Sequence, residues 1–144
     1  MKISQCTNHF LNYQRMHVKK NTLHNYEFIL GSFQKHFGDI DLSVISSEDI
    51  LDFMSKATDG TSQNTKKLRF TLISVFFNFV KNSLDSKFTN PCDNPELRKL
   101  FRAGKSTQFK ILEKDTVDEF IFRTSNQRNR LMLELMARSG MRVG

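Results

Sequence analysis

SQNTKKLRFTLISVFFNFVKN, residues 62–82, reads as one helix whose two halves have opposite chemistry. In the second half, Val75 to Val80 is apolar nearly all round, as a helix at the centre of a bundle must be. Leu68, Leu72, Phe76 and Phe79 extend this as a stripe. The first half is polar and basic. At about 100° per residue, Ser62, Thr65, Lys66 and Arg69 fall within about a third of the circumference. The pattern predicts a core helix whose amino-terminal end emerges from the protein with its donors on one face.

The stretches before this helix are helical too. In TLHNYEFILGSFQKHFG, Leu23, Tyr26, Leu30, Phe33 and Phe37 recur at steps of 3, 4, 3 and 4, making one apolar stripe. Asn21 or Thr22 is the expected cap at its start, and Gly38 the expected stop. Ser4 to His17 form a first helix centred on Phe10, Leu11 and Tyr13. SSEDILDFMSKA opens with Ser46 three residues before Asp49, a capping-box spacing, and buries Ile50, Leu51, Phe53, Met54 and Ala57.

Beyond the long helix, Pro91 and Pro95 in NPCDNP disfavour helix in the residue before each. A basic piece, ELRKLFRAGKSTQFK, follows. Two further helices come last, EKDTVDEFIFRTS and QRNRLMLELMARSG, the second ending at Gly140. In that helix Leu131 and Leu135, and Met132 and Met136, form i,i+4 pairs. The expected fold class is all-α: a four-helix domain over 1–92, a basic linker over 93–110, and the opening helices of a further, truncated domain over 111–144.

Charge separates the regions. The chain carries a formal net charge of +7, and residues 61–110 hold 10 basic against 3 acidic side chains. Residues 1–60 hold 6 against 7, and residues 111–144 hold 6 against 5. A local basic excess attracts a polyanion, and nucleic acid is the partner that best fits it.

Several function classes fall away. No apolar run is long enough to cross a bilayer, and MKISQCTNHF has no apolar signal region, so neither a membrane nor secretion is expected. Cys6 and Cys92 are far apart and read as reduced thiols in a cytoplasmic setting. GKST at 104–107 lacks the glycine a phosphate loop requires, since Lys99 stands five residues earlier; no nucleotide is expected. His9, His17, His24 and His36 never fall three or four apart, so no metal site is expected. Glu48, Asp49 and Asp52 are explained by the helix start they occupy.

QRNRLMLELMARSGMRVG resembles the opening of the catalytic domain of the tyrosine recombinase, or phage-integrase, family. There a leucine-rich helix leads through a Thr/Ser-Gly-hydrophobic-Arg turn, matched by Ser139, Gly140, Met141 and Arg142. TSQNTKKLRFTLISVFFNFV is similar to the long helix of that family's SAM-like core-binding domain, with Ser62, Thr65, Arg69 and FFNF at 76–79 in register. NTLHNYEFILGSFQKHFG and DLSVISSEDILDFM resemble its two preceding helices, and NPCDNP its interdomain linker.

The resemblance implies site-specific cutting and rejoining of DNA, through a 3′-phosphotyrosyl intermediate and without a cofactor. Arg142 would be the first catalytic arginine, its planar fork suited to the nonbridging oxygens of the scissile phosphate. The family's second arginine, lysine, His-x-x-Arg segment and tyrosine nucleophile have no match; Tyr13 and Tyr26 lie in the amino-terminal helices. Arg142 thus reads as the first piece of an active site whose remainder lies past residue 144, and this chain alone is not expected to cleave DNA.

The resemblance also implies double-stranded DNA as partner, with other recombinase protomers completing a tetrameric synapse in the intact family member. Lys19, Lys20, Asn21, Thr22 and His24 would face the duplex from one helix start, and Ser62, Asn64, Thr65, Lys66, Lys67 and Arg69 from the other. Arg69 and Asn64 are the expected base contacts, while Arg98, Lys99, Arg102 and Lys105 would follow the backbone across the linker. A second class stays open: an all-helical DNA-binding or protein-interaction module with no catalytic half.

Overall fold

Five buried phenylalanines from four helices determine how the first part of the chain packs. A computed structural model describes residues 1–103 and 110–142, in two compact units, Met1–Lys105 and Ser106–Gly144. The first unit contains α1 (Ile3–Arg15), α2 (Lys20–Phe37), α3 (Ser47–Ala57), α4 (Gln63–Phe79) and the short α5 (Pro95–Leu100). The second contains α6 (Lys114–Arg123) and α7 (Gln127–Ser139). Among the described residues there is no strand, only an isolated bridge between Lys2 and Asp41. The fold is all-α, and no helix among them is long and apolar enough to cross a membrane.

Phe10 of α1, Phe33 of α2, Phe53 of α3 and Phe76 and Phe77 of α4 are all fully buried. Phe10 meets Phe76 edge-on with centroids 5.5 Å apart, and Phe33 meets Phe53 at 5.2 Å and Phe77 at 5.8 Å. Such edge-to-face pairs add about 0.5–1.5 kcal/mol each beyond the area they bury. Burial on α4 covers Phe70, Leu72, Ile73, Phe76 and Phe77, so the apolar half lies inside as its composition predicts. Leu68 departs from the predicted stripe and stands at the surface, as does Leu51 on α3.

The helix ends follow local chemistry, with one correction. Ser46 and Asp49 form a complete capping box on α3, and Gly38 (φ +72°) and Gly140 (φ +66°) end α2 and α7 in conformations that disfavour a Cβ. At the start of α2, however, the chain leaves extended geometry at Lys19, so Asn21 and Thr22 already lie in the first turn and cap nothing. A π turn, Val80–Leu84, closes α4. Asn90 then holds the next segment: it is buried, donates to Asn78 Oδ1 at 2.8 Å and accepts from the Cys92 amide at 2.8 Å.

The stretch that reads as a linker from residue 93 is in part folded structure. Asn94 caps α5, and Leu97 and Phe101 enter the hydrophobic core. Phe101 stacks on Phe70 of α4 at 4.7 Å. Sequence periodicity cannot reveal a six-residue helix, which shows barely one apolar repeat.

At the opposite end of the sequence, residues 39–42 hold the first residues of α1. The Ile3 amide donates to the Ile40 carbonyl, the Leu42 amide to the Met1 carbonyl, and the Ser4 amide to Asp39. Asp41 accepts from the Met1 ammonium at 2.5 Å and from the Ser43 amide at 2.9 Å. The ammonium above all, and then the serine, hold its carboxyl down at about 2.

Two outcomes follow. Phe76→Ala is expected to cost about 3–5 kcal/mol in urea unfolding followed by circular dichroism. Because Asp41 is more acidic folded than unfolded, its stabilisation is complete above pH about 4 and is lost as pH falls towards 2. Asp41→Asn should therefore flatten that part of the acid-unfolding curve, and an unchanged slope would contradict the contact.

Candidate nucleic-acid interface

The polar end of α4 begins with its own cap. Ser62 takes an extended conformation and accepts from the Thr65 amide at 3.3 Å, and the two hydroxyl oxygens lie 3.0 Å apart. Both residues thereby serve the helix start, whatever else they touch. Ser62, Asn64 and Lys67 are exposed, and Thr65, Lys66 and Arg69 are half-buried. At the start of α2, Lys19, Lys20, Asn21, Thr22 and His24 are all exposed.

These two regions meet. His24, Asn25, Phe28 and Ile29 of α2 and Thr65, Leu68, Arg69 and Leu72 of α4 line a shallow cleft of about 310 Å³. Of the candidate residues, His24, Thr65 and Arg69 come together there. Lys66 lies round the helix instead, beside Gln63, Asp59 and Phe101 in a second cleft.

Arg69 departs from the outward placement that its helix face predicts. Its guanidinium donates to the Ala57 carbonyl, at the carboxyl end of α3, and sits 5.4 Å from the centroid of the Phe28 ring. A cation there complements the negative end of the α3 dipole while joining α2, α3 and α4. In this conformation it is committed to the fold rather than held out towards a base.

Gln63, a neutral residue that no motif in the sequence marks, ties α5 to this surface. Its Nε2 donates to the Leu100 carbonyl at 2.8 Å and the Arg102 carbonyl at 3.0 Å. With the Phe70–Phe101 stack, this brings the carboxyl end of α5 to the start of α4. Lys99 and Arg102 are exposed, Arg98 is ion-paired with Asp93, and Lys105 lies outside the described residues, as does GKST.

Among the described residues, Lys19, Lys20, Lys66, Lys67, Lys99 and Arg102 have no carboxylate within 4.0 Å, whereas Arg15, Lys56, Arg123 and Arg138 do. Acid is present nearby, in Asp59, which lines the same cleft as Lys66, but outside ion-pair distance.

In the second unit, Arg142 is exposed just past Gly140, the left-handed stop of α7. Arg138 reaches Glu134 at 2.5 Å and Asp118 at 3.3 Å. Leu112, Val117, Phe120, Ile121, Leu133 and Met136 border an apolar groove of about 390 Å³ together with Ala137. The tyrosines lie in the first unit: Tyr26 is buried, which pushes its phenol up, and Tyr13 stacks on His17. Among the described residues, no group of three His, Cys, Asp or Glu side chains is arranged to hold a metal ion. The chain matches no protein-family model, no curated protein and no solved structure.

The roles of Arg69 and Lys67 separate in stability. Arg69→Ala should cost about 1 kcal/mol or more, lowering the thermal midpoint by about 4–8 °C, while Lys67→Ala should stay within about 0.5 kcal/mol. Equal midpoints for the two variants would deny Arg69 its part in the fold.

Proposed function

We propose that Met1–Lys105 binds double-stranded DNA, with the starts of α2 and α4 and the end of α5 against the sugar-phosphate backbone. One observation carries this reading: the exposed start of α4 and its surroundings gather cations that the chain's own acids leave unpaired. Lys66, Lys67, Lys99, Arg102, Lys19 and Lys20 grip phosphate, and Asn64 reaches a base edge. The positive ends of the α2 and α4 dipoles add to the attraction.

We place this domain as the SAM-like core-binding arm of a tyrosine recombinase, on the sequence resemblance. In that role Ser106–Gly144 opens the catalytic domain. Arg142 is its first arginine, stabilising charge on the scissile phosphate as a tyrosine attacks and a 5′-hydroxyl leaves. Other protomers would assemble with it on DNA. In a chain continued through that tyrosine, Arg142→Lys is expected to lose strand cleavage and keep DNA binding; normal cleavage would remove Arg142 from the active site. A protein-interaction module is the second reading, favoured by the open Leu131–Met136 stripe of α7, and it predicts no salt-dependent affinity for duplex.

Salt decides between them. With about five phosphate contacts, affinity for a labelled mixed-sequence duplex should fall roughly 500-fold between 50 and 200 mM salt, by fluorescence anisotropy. Lys66→Glu with Lys67→Glu should weaken binding across sequences and lower the slope of log affinity against log salt by about 2. A flat salt dependence would falsify the phosphate grip.

A further inference from the structure

Phosphate contact leaves one feature of this surface unexplained. Phe28 is 55% exposed and Leu68 50% exposed, and they line the same cleft from two helices, with buried Leu72 beside them. Single exposed apolar residues are ordinary, but two large ones sharing a cleft between two helices that carry unpaired lysines are not. A phosphate-gripping surface needs neither side chain.

We infer that this cleft takes the C5-methyl group of a thymine in the DNA major groove. That methyl is the one apolar group on the base edges there, so it is the part of a duplex that an apolar cleft selects. Charge complementarity supplies the occupant's class: Lys20 and Lys67, on the two helices that line the cleft, are exposed with no carboxylate within 4.0 Å among the described residues, and a duplex brings phosphates to both sides of its major groove.

The cleft is also set before any ligand arrives. The Arg69 guanidinium lies over the Phe28 ring while held by the Ala57 carbonyl, which restrains the ring at the cleft wall. Arg69 is therefore a positioning residue for methyl recognition, acting through Phe28. Asn25 and His24, at the same cleft, carry the hydrogen-bonding groups that would read the neighbouring base.

This rests on the proposed DNA binding, and the test separates the two. Duplexes enriched by the whole chain from a random pool are resynthesised with each thymine replaced singly by deoxyuridine, which lacks only the methyl. At one or two positions the replacement should weaken binding about fourfold, the worth of one buried methyl. Leu68→Ala should weaken binding to the thymine duplex and abolish its preference over the uracil duplex, with the salt slope unchanged. Phe28→Ala should do the same. Arg69→Ala should reduce the preference more than the affinity. Salt-dependent binding with no methyl-sensitive position, or full sensitivity surviving in both Leu68→Ala and Phe28→Ala, overturns this inference and leaves DNA binding standing. Failure to enrich or bind any duplex overturns both.

Discussion

The edge-to-face contacts that Phe33 and Phe10 make with α4 are the constraint on which the rest of the first unit depends. They fix Phe76 and Phe77 at the centre, and a rigid helix of 17 residues then has no freedom in where its other half goes. At about 1.5 Å per residue, the turns before Phe70 extend roughly 10 Å from the first core contact. Those turns hold Lys66, Lys67 and Arg69, whose charges could not be buried without partners. Packing at one end of α4 thus exposes the other.

A second consequence is that the basic residues gather instead of dispersing. Phe101 covers Phe70 at the point where α4 leaves the core, and Gln63 holds the carbonyls that end α5. These neutral contacts bring Lys99 and Arg102 to a surface that already carries lysines. Like charges placed together cost free energy until a polyanion or salt offsets them. Elsewhere some cations are paired, as Lys56 is with Asp52 and Arg15 with Glu27, and others, such as Lys35, Lys81 and Arg128, are not. Their gathering on one folded surface carries more weight than the net charge, which would be the same if the lysines were scattered.

What could be read from the sequence divides along the range of the interaction. The capping box of Ser46 and Asp49, the glycine stops at Gly38 and Gly140 and the apolar face of α2 depend on neighbours within about a turn, and each was visible in residue spacing. The link from Arg69 to Ala57 spans 12 residues and that from Gln63 to Arg102 spans 39, and no local pattern announces either. Arg69 shows the cost: a basic residue on a polar helix face has the same sequence signature whether it reaches outward or back to a carbonyl. Phe28 did leave a signal. It lies off the Leu23–Phe37 stripe of its own helix, and an aromatic residue on the wrong face is where a surface function can be sought.

The second unit lacks what makes the first self-sufficient. No residue of α7 is buried, and Leu131, Met132, Leu135 and Met136 are each more than a third exposed. Two helices alone can bury little apolar surface against the entropy of ordering them. Besides the packing that buries Ile121 of α6, what holds α7 is the Asn126 cap, the Gly140 stop, and the pairs of Arg138 with Glu134 and Asp118, which water screens to a small net worth. An arginine that must hold a phosphate oxygen in a fixed geometry cannot do so from a turn so weakly held. If Arg142 serves chemistry, its precision must come from a surface that covers the α7 stripe. The apolar stripe and the catalytic role proposed for Arg142 therefore impose the same physical requirement.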